Sequence, residues 1–194
     1  MSTILLDIGN VIVTVDFLSF CRGVVPEGSS EVESVYRKYC QGELKERFDC
    51  GMIAPFDYLG MIAADPMTAV MLPEDIRLKW QNIFSPLKGA LGGVEILERE
   101  HRIWIMSDTD PLHFTFLLNR FPLLKARERY FLSYESGLLK NSPEAFVHVL
   151  AESGVQADEL LLIDDKPENC SAAAEAGISS IRFTSWSETL AAIM

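Results

Sequence analysis

Apolar runs that end abruptly at polar residues recur along this chain of 194 residues. The runs at residues 4–6, 103–106 and 160–163 are apolar on consecutive positions, which is typical of strands covered on both faces of a sheet. From Lys88 onward, segments with helical spacing separate such runs. This alternation predicts an α/β fold, a Rossmann-like doubly wound parallel sheet with helices on both faces.

The pattern divides this part of the chain into alternating helices and strands. In chain order, the prediction is a helix near 89–101, a strand at 102–107, a helix near 111–120, a strand at 130–133, a helix at 143–153, a strand at 160–164, a helix at 167–176, a strand at 179–183 and a helix after Ser185. The run at 4–6 is predicted to be a further strand of the same sheet.

The segment from residue 16 to residue 85 has a different pattern. Apolar residues recur there at helical spacing, as at Ile76, Trp80 and Ile83, and proline or glycine separates the pieces. We therefore expect three or four short helices and no strand in this segment. The predicted organisation is an α/β core formed by residues 1–15 and 86–194, with residues 16–85 inserted as a small helical cap.

Composition narrows the classes of function. A formal charge of −11 disfavours binding to nucleic acid or to an anionic membrane. The cysteines form no CxxC pair, so we expect reduced thiols, and no run approaches the roughly 20 apolar residues of a membrane span. With no basic and apolar leader after Met1, we expect a cytoplasmic protein.

Polar residues with chemical potential follow the predicted strands. Asp7 follows the first strand, Ser107 ends another, and the pair Asp164 and Asp165 ends a third, while Lys140 lies in a loop. Ligands of open parallel sheets bind beyond the carboxyl ends of the strands, so these groups are expected to converge. A carboxylate nucleophile, fixed donors and cations are what phosphoryl transfer requires.

Each of these residues also has an ordinary structural interpretation. Asp7 and Ser107 could cap helices, and Lys140 could be a solvated surface charge. The neighbouring carboxylates of Asp164 and Asp165 are harder to explain in this way, because they repel each other unless a cation or a donor binds them. Mg²⁺ is such a cation, and it prefers oxygen ligands.

The same residues resemble four motifs of the haloacid dehalogenase (HAD) superfamily. The similar stretches are Asp7 to Val11, Ser107 to Thr109, Lys140 with Pro143, and Asp164-Asp165 with Asn169. The segment at 16–85 resembles the helical cap of its first subclass. The opening motif is similar to that of bacterial sugar phosphatases typified by α-D-glucose-1-phosphate phosphatases.

The resemblance implies specific roles for these residues. Asp7 would be the nucleophile that forms an aspartyl-phosphate, and Lys140 would neutralise charge and bind the substrate. Ser107 and the backbone amide of Asp108 would also bind the phosphate. Mg²⁺ would be held by the metal ligands Asp7, the carbonyl of Gly9, and Asp165, with Asp164 close behind.

Two positions depart from the superfamily pattern. Gly9 stands where most of its phosphatases carry a second aspartate, the general acid and base, and Asp108 stands where relatives generally carry asparagine. Loss of the acid could slow release of a sugar alkoxide by about 10²-fold. Asp16 is a candidate substitute acid, whereas His113 is expected to be a packing or surface residue.

Three functions are compatible with these features. The first is Mg²⁺-dependent hydrolysis of a small phosphorylated metabolite, a sugar phosphate in particular. The second is a catalytically weak or inactive binding protein, which Gly9 and Asp108 together suggest. The third is a 2-haloacid dehalogenase, which does not need an acid at Gly9; the pair Asp164-Asp165 and the lack of an evident entrance arginine disfavour it.

Overall fold

The computed structural model describes residues 3–125 and 127–193. The strands are, in chain order, β1 (Thr3–Leu6), β2 (Val13–Val15), β3 (Phe84–Pro86), β4 (Arg102–Ser107), β5 (Tyr130–Leu132), β6 (Leu160–Asp164) and β7 (Ser179–Arg182). The helices are α1 (Phe17–Val24), α2 (Val32–Tyr39), α3 (Gly42–Asp49), α4 (Pro55–Ala63), α5 (Pro73–Gln81), α6 (Ala90–Leu97), α7 (Pro111–Arg120), α8 (Ser133–Ser136), α9 (Pro143–Ser153), α10 (Pro167–Glu175) and α11 (Trp186–Ile193).

A parallel sheet lies at the centre of the fold, with strands in the order β5-β4-β1-β6-β7. In β1, Leu6 pairs in register with Ile105 of β4 and with Ile163 of β6. The polar residues at or just beyond the ends of these three neighbouring strands therefore lie at the same edge of the sheet. The predicted parallel α/β sheet is confirmed.

Side chains of β1 alternate between two apolar layers. Ile4 and Leu6 belong to a core on one face of the sheet, which includes residues of α6, α7 and α11. Leu5 belongs to the core on the other face, together with Trp104 and residues of α9 and α10. Both faces are covered, which explains why the sequence of this strand is apolar at consecutive positions.

The helical segment has its own core around Trp80, which is fully buried. Among the described residues between 16 and 85, the structure contains α1 to α5, so the prediction of three or four helices is wrong. One additional boundary is the break between α2 and α3, where Gly42 adopts a φ of +73°. A residue with positive φ interrupts a helix, although apolar spacing continues across it.

The prediction of no strand between residues 16 and 85 is also wrong. Strand β3 begins at Phe84, and it pairs antiparallel with β2, where Val15 lies opposite Phe84. These two strands join the chain entering the helical segment to the chain leaving it. Strands of three residues show too little alternation to be recognised in a sequence. The division into a core and a cap at 16–85 stays a prediction.

Most predicted boundaries after Lys88 agree with the structure, and β4, α7, α9 and β6 begin and end at the predicted residues. The predicted helix near 89–101 is shorter, because α6 covers only Ala90–Leu97. Ser133, predicted as the end of a strand, begins the short helix α8. In the part of the chain that the structure describes, no helix is both long and apolar enough to cross a lipid bilayer.

Candidate active site

The residues expected to carry chemistry meet at the carboxyl edge of the sheet. Asp7 follows β1 directly, and its backbone N–H donates to the carbonyl of Ile163 at 3.1 Å, which extends the pairing with β6. Ser107 is the last residue of β4, and Asp164 is the last residue of β6. Lys140 reaches this edge from the loop that precedes α9.

Lys140 forms two ion pairs in the interior of the protein. Its Nζ lies 2.6 Å from Oδ1 of Asp7 and 2.5 Å from Oδ2 of Asp164, and all three residues are buried. Burial alone would lower the pKa of the ammonium, but the carboxylates of Asp7 and Asp164 outweigh it and raise this pKa above its ordinary value. Lys140 is therefore a buried cation and not a solvated surface charge.

The two carboxylates that share this cation have different environments. Burial raises the pKa of Asp7 to about 7, and the nearby Asp164 adds to the increase, while Lys140 opposes it. Burial also raises the pKa of Asp164, but Lys140 and hydrogen bonds from the backbone of Lys166 and from Asn169, each 2.9 Å, bring it below its usual range. Asn169 thus stabilises the ionised form of this carboxylate.

Three carboxylates form a candidate metal centre. Asp7, Asp164 and Asp165 each offer an oxygen atom, and these atoms lie within 4.8 Å of one another. Both oxygens of Asp164 already accept hydrogen bonds, so Asp7 and Asp165 are better placed to bind a metal ion directly. Asn10, with a φ of 53°, donates from Nδ2 to Oδ2 of Asp165 at 3.0 Å. This donor set suits Mg²⁺, because it is made of hard oxygen atoms with an excess of negative charge.

Asp108 is turned toward the loop that carries Lys140. Its Oδ1 and Oδ2 atoms accept the backbone N–H of Lys140 at 3.0 and 3.3 Å. Burial raises the pKa of Asp108, although Lys140 opposes this change. The orientation of this carboxylate toward the Lys140 backbone and its raised pKa both reduce the repulsion that it would exert on an anion bound next to Ser107.

Asp110, rather than Ser107, caps helix α7. Its Oδ1 accepts the backbone N–H groups of Leu112 and His113, each at 3.0 Å, and its Oδ2 accepts Nε1 of Trp80 at 3.2 Å. The ring of His113 stacks on Trp80; its Nδ1 lies 2.7 Å from Oδ2 of Asp110, and its Nε2 lies 2.8 Å from the carbonyl oxygen of Trp80. His113 is therefore a packing residue, as expected, and it connects α7 to α5.

A cavity of about 400 Å³, here called the central cavity, lies between the carboxyl edge of the sheet and the helical segment. The predicted site residues that line it are Asp7, Gly9, Ser107, Asp108, Lys140 and Asp165. From the helical segment, it is lined by Phe17, Tyr36, Cys40, Gln41 and Lys45. The side cavity, of about 310 Å³, adjoins it and shares Phe17, Cys40, Gln41, Lys45, Asp108 and Lys166 with it.

Asp16, the candidate substitute acid, lies away from the reaction centre. It caps α1, where it accepts the N–H of Ser19 at 2.9 Å, and it does not line the central cavity. Trp80 and Phe48 are core residues, and Met52 is 65% exposed outside this cavity. Lys45 also lines this cavity, and it was not expected from the sequence, because a lysine four positions before an aspartate on a helix usually indicates a solvated ion pair.

A doubly wound sheet with an aspartate, a lysine and an acid pair at its carboxyl edge defines a class of α/β enzymes with an acidic site. Within that class, the haloacid dehalogenase-like hydrolase family matches residues 1–177 of this chain. The chain belongs to this family of hydrolases, which confirms the family predicted from the motifs.

Individual relatives share the family but few residues. A D-ribitol-5-phosphate phosphatase of Bacteroides thetaiotaomicron is 22% identical over 192 residues, which cover 94% of this chain and 91% of that protein. A HAD family enzyme of the same organism, solved with magnesium and inorganic phosphate, superposes with a TM-score of 0.83 at 23% identity, covering 97% of this chain and 98% of that one. L-2-haloacid dehalogenase of Xanthobacter autotrophicus gives a TM-score of 0.66 at 16% identity, with coverages of 99% and 81%. The structural likenesses show the fold.

Proposed function

We propose that this protein is a Mg²⁺-dependent phosphatase that hydrolyses a small sugar phosphate through an aspartyl-phosphate on Asp7. The observation that carries the proposal is the placement of Lys140 between Asp7 and Asp164, next to the three-carboxylate cluster and at the central cavity. The similarity to a D-ribitol-5-phosphate phosphatase and the fold shared with an enzyme solved with magnesium and phosphate support it.

The proposed roles follow from charge and position. A carboxylate oxygen of Asp7 attacks phosphorus as the bond from phosphorus to the alcohol oxygen breaks, and the departing alkoxide takes a proton from water. Water then hydrolyses the aspartyl-phosphate to inorganic phosphate and the free carboxylate. The attack requires the ionised form of Asp7, whose pKa burial raises to about 7. Lys140 keeps a positive charge beside Asp7, and Ser107 and the amide of Asp108 bind phosphate oxygens. Mg²⁺, held by Asp7, the carbonyl of Gly9 and Asp165 with Asp164 behind them, would supply the further positive charge that an anionic substrate needs.

Gly9 has a consequence for the choice of substrate. It provides no acid to protonate the leaving oxygen, and Asp16 is occupied as a helix cap outside the central cavity. Monoesters with a more acidic leaving oxygen, such as sugar 1-phosphates and aryl phosphates, should therefore react faster than phosphates of primary alcohols.

Replacing Asp7 by Asn tests the proposal. With p-nitrophenyl phosphate and Mg²⁺, the wild type should be active, and Asp7→Asn should lose at least about 10³-fold in kcat because the nucleophile is removed. Asp57→Asn, which changes an exposed carboxylate at the start of α4, is the matched control and should retain full activity. Turnover by the Asn variant would disprove the assignment of Asp7.

The other two functions predict different results. A weak or inactive binding protein should hydrolyse neither aryl nor sugar phosphates in the presence of Mg²⁺. A dehalogenase should release halide from a 2-haloacid after chelation by EDTA. Among the described residues that line the central cavity there is no arginine to bind the haloacid carboxylate, which makes this function the least supported.

A further inference from the structure

Lys45 and Asp49 form an ion pair in the interior of the helical segment. They lie four positions apart on α3, and only 7% and 8% of their surfaces are exposed. Pairs at this spacing ordinarily lie on the solvated face of a helix. A buried pair loses hydration that its mutual attraction need not restore, so stability is a weak explanation for it. Buried ionised groups at a cavity are instead typical of functional sites.

The location of this pair relates it to the bound substrate. Lys45 lines both the central cavity and the side cavity, and Asp49 lines the side cavity. The Nζ atom of Lys45 lies 5.7 Å from the ring centroids of both Phe17 and Trp80, so apolar rings surround it. The pair thus stands where the two cavities meet.

The central cavity connects this position to the proposed reaction centre, since Asp7 and Lys140 line the same space. A phosphate group next to Asp7 and Lys140 would leave the alcohol part of the substrate inside the cavity. This part of the substrate would then lie within the space that Lys45 lines, on the side of the helical segment.

The balance of charge indicates which chemical groups would fit there. Burial lowers the pKa of Lys45, but the carboxylates of Asp49 and Asp110 outweigh this and raise it above its ordinary value. One ammonium therefore faces two carboxylates, and no positive charge is left over for a second anion. An ammonium whose charge is already balanced can still donate hydrogen bonds to hydroxyl oxygens, which accept them.

We propose that Lys45, held in place by Asp49, binds hydroxyl groups on the neutral sugar or polyol part of the substrate and so determines specificity. This inference rests on the proposed phosphatase function and adds the residue that selects the substrate by its hydroxyl groups. It predicts that the helical segment selects polyhydroxylated monophosphates over monoesters without hydroxyl groups.

The test compares two kinds of phosphate monoester on the same variants. Glucose 1-phosphate and ribitol 5-phosphate carry hydroxyl groups, whereas p-nitrophenyl phosphate has none. Lys45→Met should lower kcat/KM for the hydroxylated substrates by about 10- to 100-fold, mainly through KM, because hydrogen bonds to charged groups are lost. For p-nitrophenyl phosphate, kcat/KM should change by less than about threefold.

Two further variants separate binding from folding. Lys45→Met/Asp49→Leu removes both members of the pair, and Asp110 keeps its hydrogen bonds from Trp80 and from the backbone of α7. The double variant should therefore show the same selective loss in a protein with an undiminished thermal midpoint. Lys38→Met is the control. Lys38 lies on α2, pairs with Asp65 and does not line the central cavity, so this variant should keep kcat/KM for both kinds of substrate within twofold of wild type.

Equal losses on both kinds of substrate, or no loss on the hydroxylated ones, would overturn the role of Lys45 and Asp49 and leave the phosphatase function intact. A wild-type protein that hydrolyses none of these phosphates with Mg²⁺ would instead reject the phosphatase function, and the inference with it.

Discussion

Replacing Asp7 by Asn should stabilise the metal-free protein at neutral and alkaline pH. Asp7 is 6% exposed, and its pKa is raised to about 7 from an ordinary value of 3.8 because burial disfavours the charged form. Asn has nearly the same shape as the protonated acid and never ionises. The substitution therefore removes a charge whose burial opposes folding, in contrast to most substitutions of buried residues.

The size of the effect follows from the two pKa values. Between pH 3.8 and about 7, the unfolded chain has lost the proton of Asp7 and the folded chain still binds it. The unfolded state binds fewer protons at Asp7 in this window, so the contribution of Asp7 to the stability of the wild type falls as pH rises through it and levels off above about pH 7. Each pH unit corresponds to about 1.4 kcal/mol, which gives about 4 kcal/mol in favour of Asp7→Asn at pH 8 and almost nothing at pH 4.

Urea unfolding in EDTA between pH 4 and pH 8.5 measures this difference. The free energies of unfolding of wild type and Asp7→Asn should diverge as pH rises, whereas Asp57→Asn should follow the wild type throughout. A difference that is the same at pH 5 and pH 8, or a less stable Asn variant at pH 8, would refute the reasoning about the buried carboxylate.

Two glycines give further predictions. A Cβ on Gly9 would meet Val15 at 3.6 Å, an ordinary contact, so Gly9→Asp should fold; by supplying an acid it should raise kcat for sugar phosphates by about 10²-fold in steady-state assays with Mg²⁺, and an unchanged kcat would mean that proton transfer is not limiting. A Cβ on Gly93 would lie 2.0 Å from the ring of Trp186, so Gly93→Ala should lower the free energy of unfolding by about 1–3 kcal/mol in urea titrations. Gly92→Ala, on the same helix with nothing within 4 Å, is the matched control and should not destabilise.

The site at the edge of the sheet could be located from sequence because its residues are tied to strand ends. Asp7, Ser107 and Asp164 each stand where a recognisable apolar strand stops, and parallel strands bring such positions together. The ion pairs of Lys140 could not be read in the same way, since a lysine in a loop has no periodic context. From its place in a loop after a strand, Lys140 was expected only to converge on the same edge of the sheet.

The helical side of the site depended on contacts between distant parts of the chain. Strand β3 pairs with a strand about 70 positions earlier, and the Lys45–Asp49 pair has the same sequence pattern as a solvated pair. The periodicity of α3 does not reveal that the face carrying Lys45 and Asp49 is buried, because that burial comes from residues distant in the sequence. The number of helices and the polar residues that face the central cavity were therefore beyond the sequence patterns.

These distant contacts decide where Lys45 stands relative to Asp7. At the end of α3, Gly51 approaches the backbone of α8 so closely that a Cβ there would lie 2.3 Å from the carbonyl oxygen of Tyr134. On the other side, Asp110 and His113 fix α5 to α7 through buried hydrogen bonds with Trp80. Helix α3 is thus confined by direct packing on one side and by the core around Trp80 on the other. A substrate selected by its hydroxyl groups would depend on this confinement as much as on the charged pair itself, because a shift of the helix would separate the pair from the reacting phosphate.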